Sequence, residues 1–224
     1  METLEDILNP NNHKPKNNTS NSNSLIFPGS EDGKIKPLKL NLNTLNDVQK
    51  KVVTQALKML LDKRYIYIFG GGHGASEKTN FCHIVTLKNV KKLGAPTRLT
   101  GKLSYDSNPE FYDNLDWGNK KFYYGIDCSG FIYACYNLAG FKIKCSLAKD
   151  YVNNKHFKII KNEDLKAGDI VSFPNLGHVI MFLAFKNNIN GELRYYCIHE
   201  PSSGNFLKTG LHKLDDGIPL TYCD

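Results

Sequence analysis

Asp127-Cys128-Ser129-Gly130-Phe131 follows a Tyr-Tyr-Gly approach at residues 123–125 and opens an apolar run. The run reads as a helix that starts at Asp127 or Cys128 and stops near Gly140. A cysteine in the first turn lies at the positive end of the helix dipole, beside backbone N–H groups without intrahelical partners. Both favour thiolate over thiol. Gly130 keeps the turn slim enough for another backbone or a substrate to approach. Alone, such a cysteine is better explained as a small thiol packed at a helix start.

The segments downstream change that balance. Leu165-Lys166-Ala167-Gly168-Asp169-Ile170-Val171 leads a strand over Ile170–Phe173, and Gly177-His178-Val179-Ile180 begins the next, over 179–185. A third strand, 193–199, ends in His199, and the Asn/Gly-rich segment 186–192 reads as the hairpin turn joining it to its predecessor. In an antiparallel pair the start of one strand lies beside the end of the next, so His178 and His199 become neighbours on one sheet. With the Cys128 helix packed across that sheet, nucleophile, base and base-orienting group stand in the order a thiol hydrolase needs. Each histidine alone also suits a structural role; the three residues together are specific.

Upstream, Val48, Val52, Ala56, Met59 and Leu60 recur at helical spacing, predicting a helix over 44–63 with Thr44 as cap and Asp47 at the third helical position. Tyr65 to Phe69 reads as a short extended run, broken by Gly70-Gly71-Gly72-His73-Gly74. Helices followed by strands make the class α+β with an antiparallel sheet. Residues 9–24, almost wholly Asn, Ser, Lys and Pro, cannot offset their ordering entropy and read as a flexible tail. Leu25-Ile26-Phe27-Pro28 is free to dock on the body or on a partner. The expected division is a polar tail over 1–40 and a catalytic domain over 41–224, with a hard-to-read insertion at 79–123.

The 224 residues carry 29 Lys and Arg against 22 Asp and Glu, a formal net charge of +7. That balance admits an anionic partner, including acidic wall polymers, but the basic residues are scattered and no nucleic acid is expected. The longest apolar run, 179–185, is far short of the roughly 20 residues of a membrane span. Six cysteines form no C-x-x-C pair and match no disulfide framework, so reduced thiols are the default. The start, METLEDILNP, lacks the basic and apolar regions of a Sec signal. The protein is therefore expected to be cytoplasmic as made, with release by lysis, a phage particle or a specialised secretion machine.

The chain resembles the NlpC/P60 cysteine peptidases, papain-like enzymes that mostly cut peptidoglycan stem peptides. The resemblance runs over Tyr67-Ile68-Phe69-Gly70-Gly71, the Asp127–Phe131 box, the Leu165–Val171 strand, Gly177-His178-Val179 and Ile198-His199, covering roughly residues 44–200. It implies a papain-like fold, the helix bearing the nucleophile packed on the antiparallel sheet. It further implies Cys128 as nucleophile, His178 as general base and His199 as the group that orients the imidazole, with the Cys128 N–H helping to hold the oxyanion. Tyr67, Asp127 and Ser129 match positions that face the substrate. The implied reaction is hydrolysis of a stem-peptide amide, such as a D-isoglutamyl to diamino-acid bond, by a monomer without metal or cofactor.

The chain departs from that pattern in the 55 residues between Gly71 and Asp127, where the family usually has a short loop. An insertion there is expected to act as a lid, a specificity element or a site for a partner or inhibitor, with Asp106, Glu110, Asp113 and Asp116 forming an acidic rim. A smaller departure is Ile180, where the family often has glycine. The Gly70–Thr79 loop fails as a phosphate cradle because Glu77 replaces the glycine that must precede Lys-Thr. His73, Cys82 and His83 match no common zinc spacing. A binding module that has lost catalysis would commonly lack the cysteine or the histidine. The remaining alternative is a thiol deamidase or acyltransferase acting on a protein.

Overall fold

The computed structural model describes residues 24–31, 34–90, 109–186, 194–199, 206–213 and 217–223. Helix α1 (Asp47–Leu61) buries Val52, Val53, Ala56, Leu57, Met59 and Leu60, the stripe that periodicity predicts. Its cap is Asn46 rather than Thr44. The Asn46 side chain accepts from the Gln49 N–H at 2.9 Å while the Asn46 N–H donates back to Gln49 Oε1 at 3.1 Å. Thr44 instead ends a 3-10 turn, its hydroxyl donating to the Asn41 carbonyl. A reciprocal pair satisfies two helix-end groups at once, and Asp47 cannot reciprocate from its place.

The chain start also departs from expectation. Strands β1 (Ser24–Glu31) and β2 (Lys34–Asn41) form an antiparallel hairpin within the segment assigned to the tail. The reason lies in its apolar residues: Leu40 is buried, and Leu25 and Leu38 pack against the main core. Residues 1–23, the greater part of the polar stretch, lie outside the described residues.

After α1 come β3 (Tyr65–Tyr67), β4 (His83–Val85), two short helices α2 (Leu87–Val90) and α3 (Pro109–Asp113), and β5 (Tyr123–Ile126). The strands form a small sheet in the order β3-β5-β4, with β3 parallel and β4 antiparallel to β5. The described part of the insertion is thus built into the fold. Val85, Val90, Tyr112 and Leu115 pack with Ile66, Ile68 and Tyr123 in a core of their own. Glu110, Asp113 and Asp116 are exposed there, whereas Asp106 lies outside the described residues.

Helix α4 (Cys128–Leu138) follows β5 directly and ends before Gly140, whose φ of +95° suits a helix stop. The remaining strands, β6 (Phe157–Ile159), β7 (Ile170–Phe173), β8 (His178–Lys186), β9 (Arg194–His199), β10 (Lys208–Lys213) and β11 (Ile218–Tyr222), form an antiparallel sheet in the order β10-β9-β8-β7-β11-β6. The main core joins α1 and α4 to one face of this sheet through Ile170, Val179, Met181, Leu183 and Ile198. The architecture is α+β, helices on an antiparallel sheet. The expected turn at 186–192 falls almost wholly outside the described residues.

The Gly168-Asp169 pair ahead of β7 ties these layers together. Asp169 is buried and accepts from Gln49 Nε2 (3.0 Å), Thr221 Oγ1 (2.7 Å) and the Lys166 N–H (2.8 Å), so one carboxylate links α1, β11 and its own turn. No described helix is long and apolar enough to cross a membrane.

Candidate active site

Asp127 stands where β5 becomes α4, and its carboxylate organises the junction. One oxygen accepts from the Gly130 N–H (2.7 Å) and the Ser129 hydroxyl (2.9 Å). The other accepts from the Gly70 N–H (3.1 Å) and pairs with His73 Nε2 (3.2 Å). The Asp127 N–H completes the contact by donating to the Gly71 carbonyl. Helix start and glycine loop therefore touch backbone to backbone. A Cβ at Gly72, whose φ is +89°, would lie 2.6 Å from Gly130 Cα, and a Cβ at Gly130 would collide with the Gly71 carbonyl oxygen.

His73 is the residue that sequence reasoning did not place. Its Nε2 lies 3.0 Å from the Ser129 hydroxyl as well as near Asp127, and its Nδ1 lies 3.4 Å from Cys145 Sγ. The hydrogen bond to Asp127, then that to Cys145, outweighs burial and raises its pKa to about 10. It is an imidazolium at neutral pH. Asp127 and Ser129, expected to face substrate, are engaged in this network. Tyr67, half-buried, pairs with Ile126 in the small sheet, and its carbonyl accepts from the Tyr112 hydroxyl at 2.6 Å.

Cys128, the first residue of α4, turns its sulfur toward β8. The thiol donates to the Gly177 carbonyl at 3.9 Å, while the N–H groups of Val179, Ser129 and Cys128 itself face the sulfur. These N–H groups favour thiolate, as the helix start predicts, but they lose to burial and to the Asp127 carboxylate. The thiol pKa is pushed up to about 12, so the group is held protonated. The sulfur sits against the two residues that flank His178; among the described residues, Cys128 and His178 share no hydrogen bond.

His178 and His199 share a sheet face, as strand order predicts. Their ring centroids are 5.9 Å apart, with Met181 opposite Ile198 fixing the register. His178 also stacks on Phe173. A third ring, His212 on β10, lies 4.7 Å from His199 and 6.5 Å from His178 between centroids. Burial, then the His212 charge, lowers the pKa of His178 to about 4 and that of His199 to about 3. Both are neutral near pH 7 and able to accept a proton. The arrangement is a protonated thiol at a helix start, with first-turn N–H groups facing the sulfur, and a neutral imidazole on the strand whose backbone the sulfur touches. That is chemistry for general-base attack on a carbonyl rather than for a standing thiolate–imidazolium pair.

His212 and Cys145 carried no motif. Only the β9–β10 pairing brings His212 to His199, and Cys145 reaches His73 across 72 residues of chain.

A comparison with curated proteins finds no match. Two solved structures of the Resuscitation Promoting Factor Interacting protein RipA, one mutated at a histidine and the other at a cysteine, are similar over 89% of this chain at 12% identity. The alignments cover 90% and 91% of those chains, with TM-scores of 0.34 and 0.33. Residues 113–213, which contain Cys128, His178 and His199, match the model of the NlpC/P60 family.

Proposed function

We propose that the protein hydrolyses an amide bond of peptidoglycan stem peptides, at a D-isoglutamyl to diamino-acid linkage, through a Cys128 thioester. NlpC/P60 proteins are typically cell-wall peptidases. The observation that carries the reading is the Cys128 sulfur at the start of α4, set against the backbone on either side of a neutral His178 whose ring neighbours His199.

In this reading His178 swings toward the thiol and takes its proton as the sulfur attacks the amide carbon. Active-site hydrogen bonds of unliganded enzymes commonly tighten only when substrate arrives. The N–H groups of Cys128 and Ser129 receive the oxyanion. The C–N bond breaks, and the His178 imidazolium gives its proton to the departing amine. Water then attacks the thioester with His178 again as base, releasing the carboxylate and restoring the thiol. His199 holds the ring of His178 in the reactive orientation.

Defined muropeptides incubated with the protein and read by mass spectrometry test the proposal. The expected products are a new carboxylate and a new amine at the isoglutamyl linkage, absent with Cys128→Ala. His199→Ala should lose far less activity than His178→Ala. Uncleaved muropeptides together with deamidation or acyl transfer on protein substrates would overturn the reading.

A further inference from the structure

On β9 and β10, beside the groups used above, three donors converge for which hydrolysis has no use as a set. Cys197 Sγ and one ring nitrogen each of His199 and His212 lie within 4.8 Å of one another. We propose that Cys197, His199 and His212 bind a thiophilic divalent transition cation, Zn²⁺ best of all, and that the bound ion stops hydrolysis by taking His199 away from His178. The binding site stands on these residues alone; its effect on activity rests on the function proposed above.

Strand geometry explains the convergence. Cys197 and His199 are two apart on β9 and share a face. In the β9–β10 register Gly210 lies opposite Cys197 and His212 opposite Tyr195. Gly210 makes room above the sheet, since a Cβ there would stand 2.5 Å from His199 Nε2. His199 is 7% exposed, and its Nδ1 is buried without a hydrogen-bond partner among the described residues. A buried imidazole nitrogen left without a partner is costly, and such an exception calls for an explanation.

The donor chemistry selects the ion. One sulfur and two imidazole nitrogens suit Zn²⁺ and its first-row neighbours, whereas Mg²⁺ and Ca²⁺ need oxygen donors that this set lacks. Zinc bonded at about 2.3 Å to sulfur and about 2.0 Å to nitrogen requires donors roughly 3.5 Å apart. The three atoms must therefore close by about an ångström, and half-buried His212 on the edge strand β10 has the freedom to supply that movement. Binding replaces the Cys197 S–H bond with an S–metal bond and releases one proton to solvent. His178 stands beside the set, 5.9 Å from His199 and 6.5 Å from His212, so an ion held there acts directly on the proposed base.

Cobalt(II) titrated into the full reduced chain tests the proposal, because a thiolate ligand gives a charge-transfer band that other donors do not. The expected result is one tightly bound equivalent, displaced by zinc. The band should vanish in Cys197→Ser, weaken by about tenfold or more in affinity in His212→Gln, and persist in Cys128→Ser and Cys145→Ser. Circular dichroism verifies folding, and His212→Gln at a half-buried position keeps the test open should Cys197→Ser not fold. Zinc should halt muropeptide cleavage by the wild type and leave His212→Gln at least tenfold less sensitive. A band that survives Cys197→Ser, disappears with Cys128→Ser or never forms would overturn the site. Zinc bound at Cys197 with cleavage unaffected would overturn the switch. A chain that forms the band yet cuts no muropeptide would keep the site and refute the function instead.

Discussion

Replacing His73 with Gln removes a charge while keeping a side chain able to hydrogen-bond. The His73 pKa stands at about 10 against an ordinary 6.5, held there first by Asp127. Unscreened, that rise corresponds to about 5 kcal/mol of preferential proton binding by the folded state. The ring is 29% exposed, so solvent screening reduces the expected contribution to about 1–3 kcal/mol. The sign follows from a folded pKa above the unfolded one: the stabilisation is complete below about pH 6.5 and is lost as pH rises through about 10. Urea unfolding of wild type and His73→Gln across that range reads the difference directly. The variant should be less stable by about 1–3 kcal/mol near pH 6, with the gap closing toward pH 10. A gap that stays constant, or widens with pH, would refute an imidazolium buttressing the start of α4.

The glycine loop and the base give two further tests. Gly130→Ala drives a methyl group into the Gly71 carbonyl, so a loss of about 2–4 kcal/mol or failure to fold is expected. Gly74→Ala points into open space and should cost only about 1 kcal/mol for its positive φ; equal losses in thermal melts would contradict the close approach. The acid limb of hydrolysis should follow His178 at about 4, so cleavage persists near pH 5. An acid limb near 6.5, the ordinary histidine value, would place the working base in water rather than in the sheet.

What was legible in the chain was what repeats locally or carries a motif. The stripe of α1, the Asp127–Phe131 turn and the short apolar runs of β7 to β9 each announce themselves within about a dozen residues. The cap of α1 stands two residues beyond Thr44, since Thr44 and Asn46 are both competent caps. Only Gln49, reaching back from the third position, decides between them. The β1–β2 hairpin was hidden by the polar stretch before it. Its apolar residues acquire meaning only against the core that Leu40 enters. His73, Cys145 and His212 were illegible for a stronger reason. Each owes its setting to a partner tens of residues away or on a neighbouring strand, and no local pattern encodes such a meeting. The thiol went the other way: its position at the helix start was readable, but the burial that keeps it protonated was not.

Because β3 and β5 run parallel, the chain must travel back between Tyr67 and Tyr123, passing through β4 on the way, before Cys128 can be placed. The bond from the Gly70 N–H to Asp127 closes a separation of 57 residues. For a flexible chain, closing such a loop costs about 1.5 kcal/mol more than closing one of about ten residues. If that closure belongs to the rate-limiting step, the body folds about tenfold more slowly than a relative with a short connection. Cys128 is then among the last residues to reach its place at the start of α4.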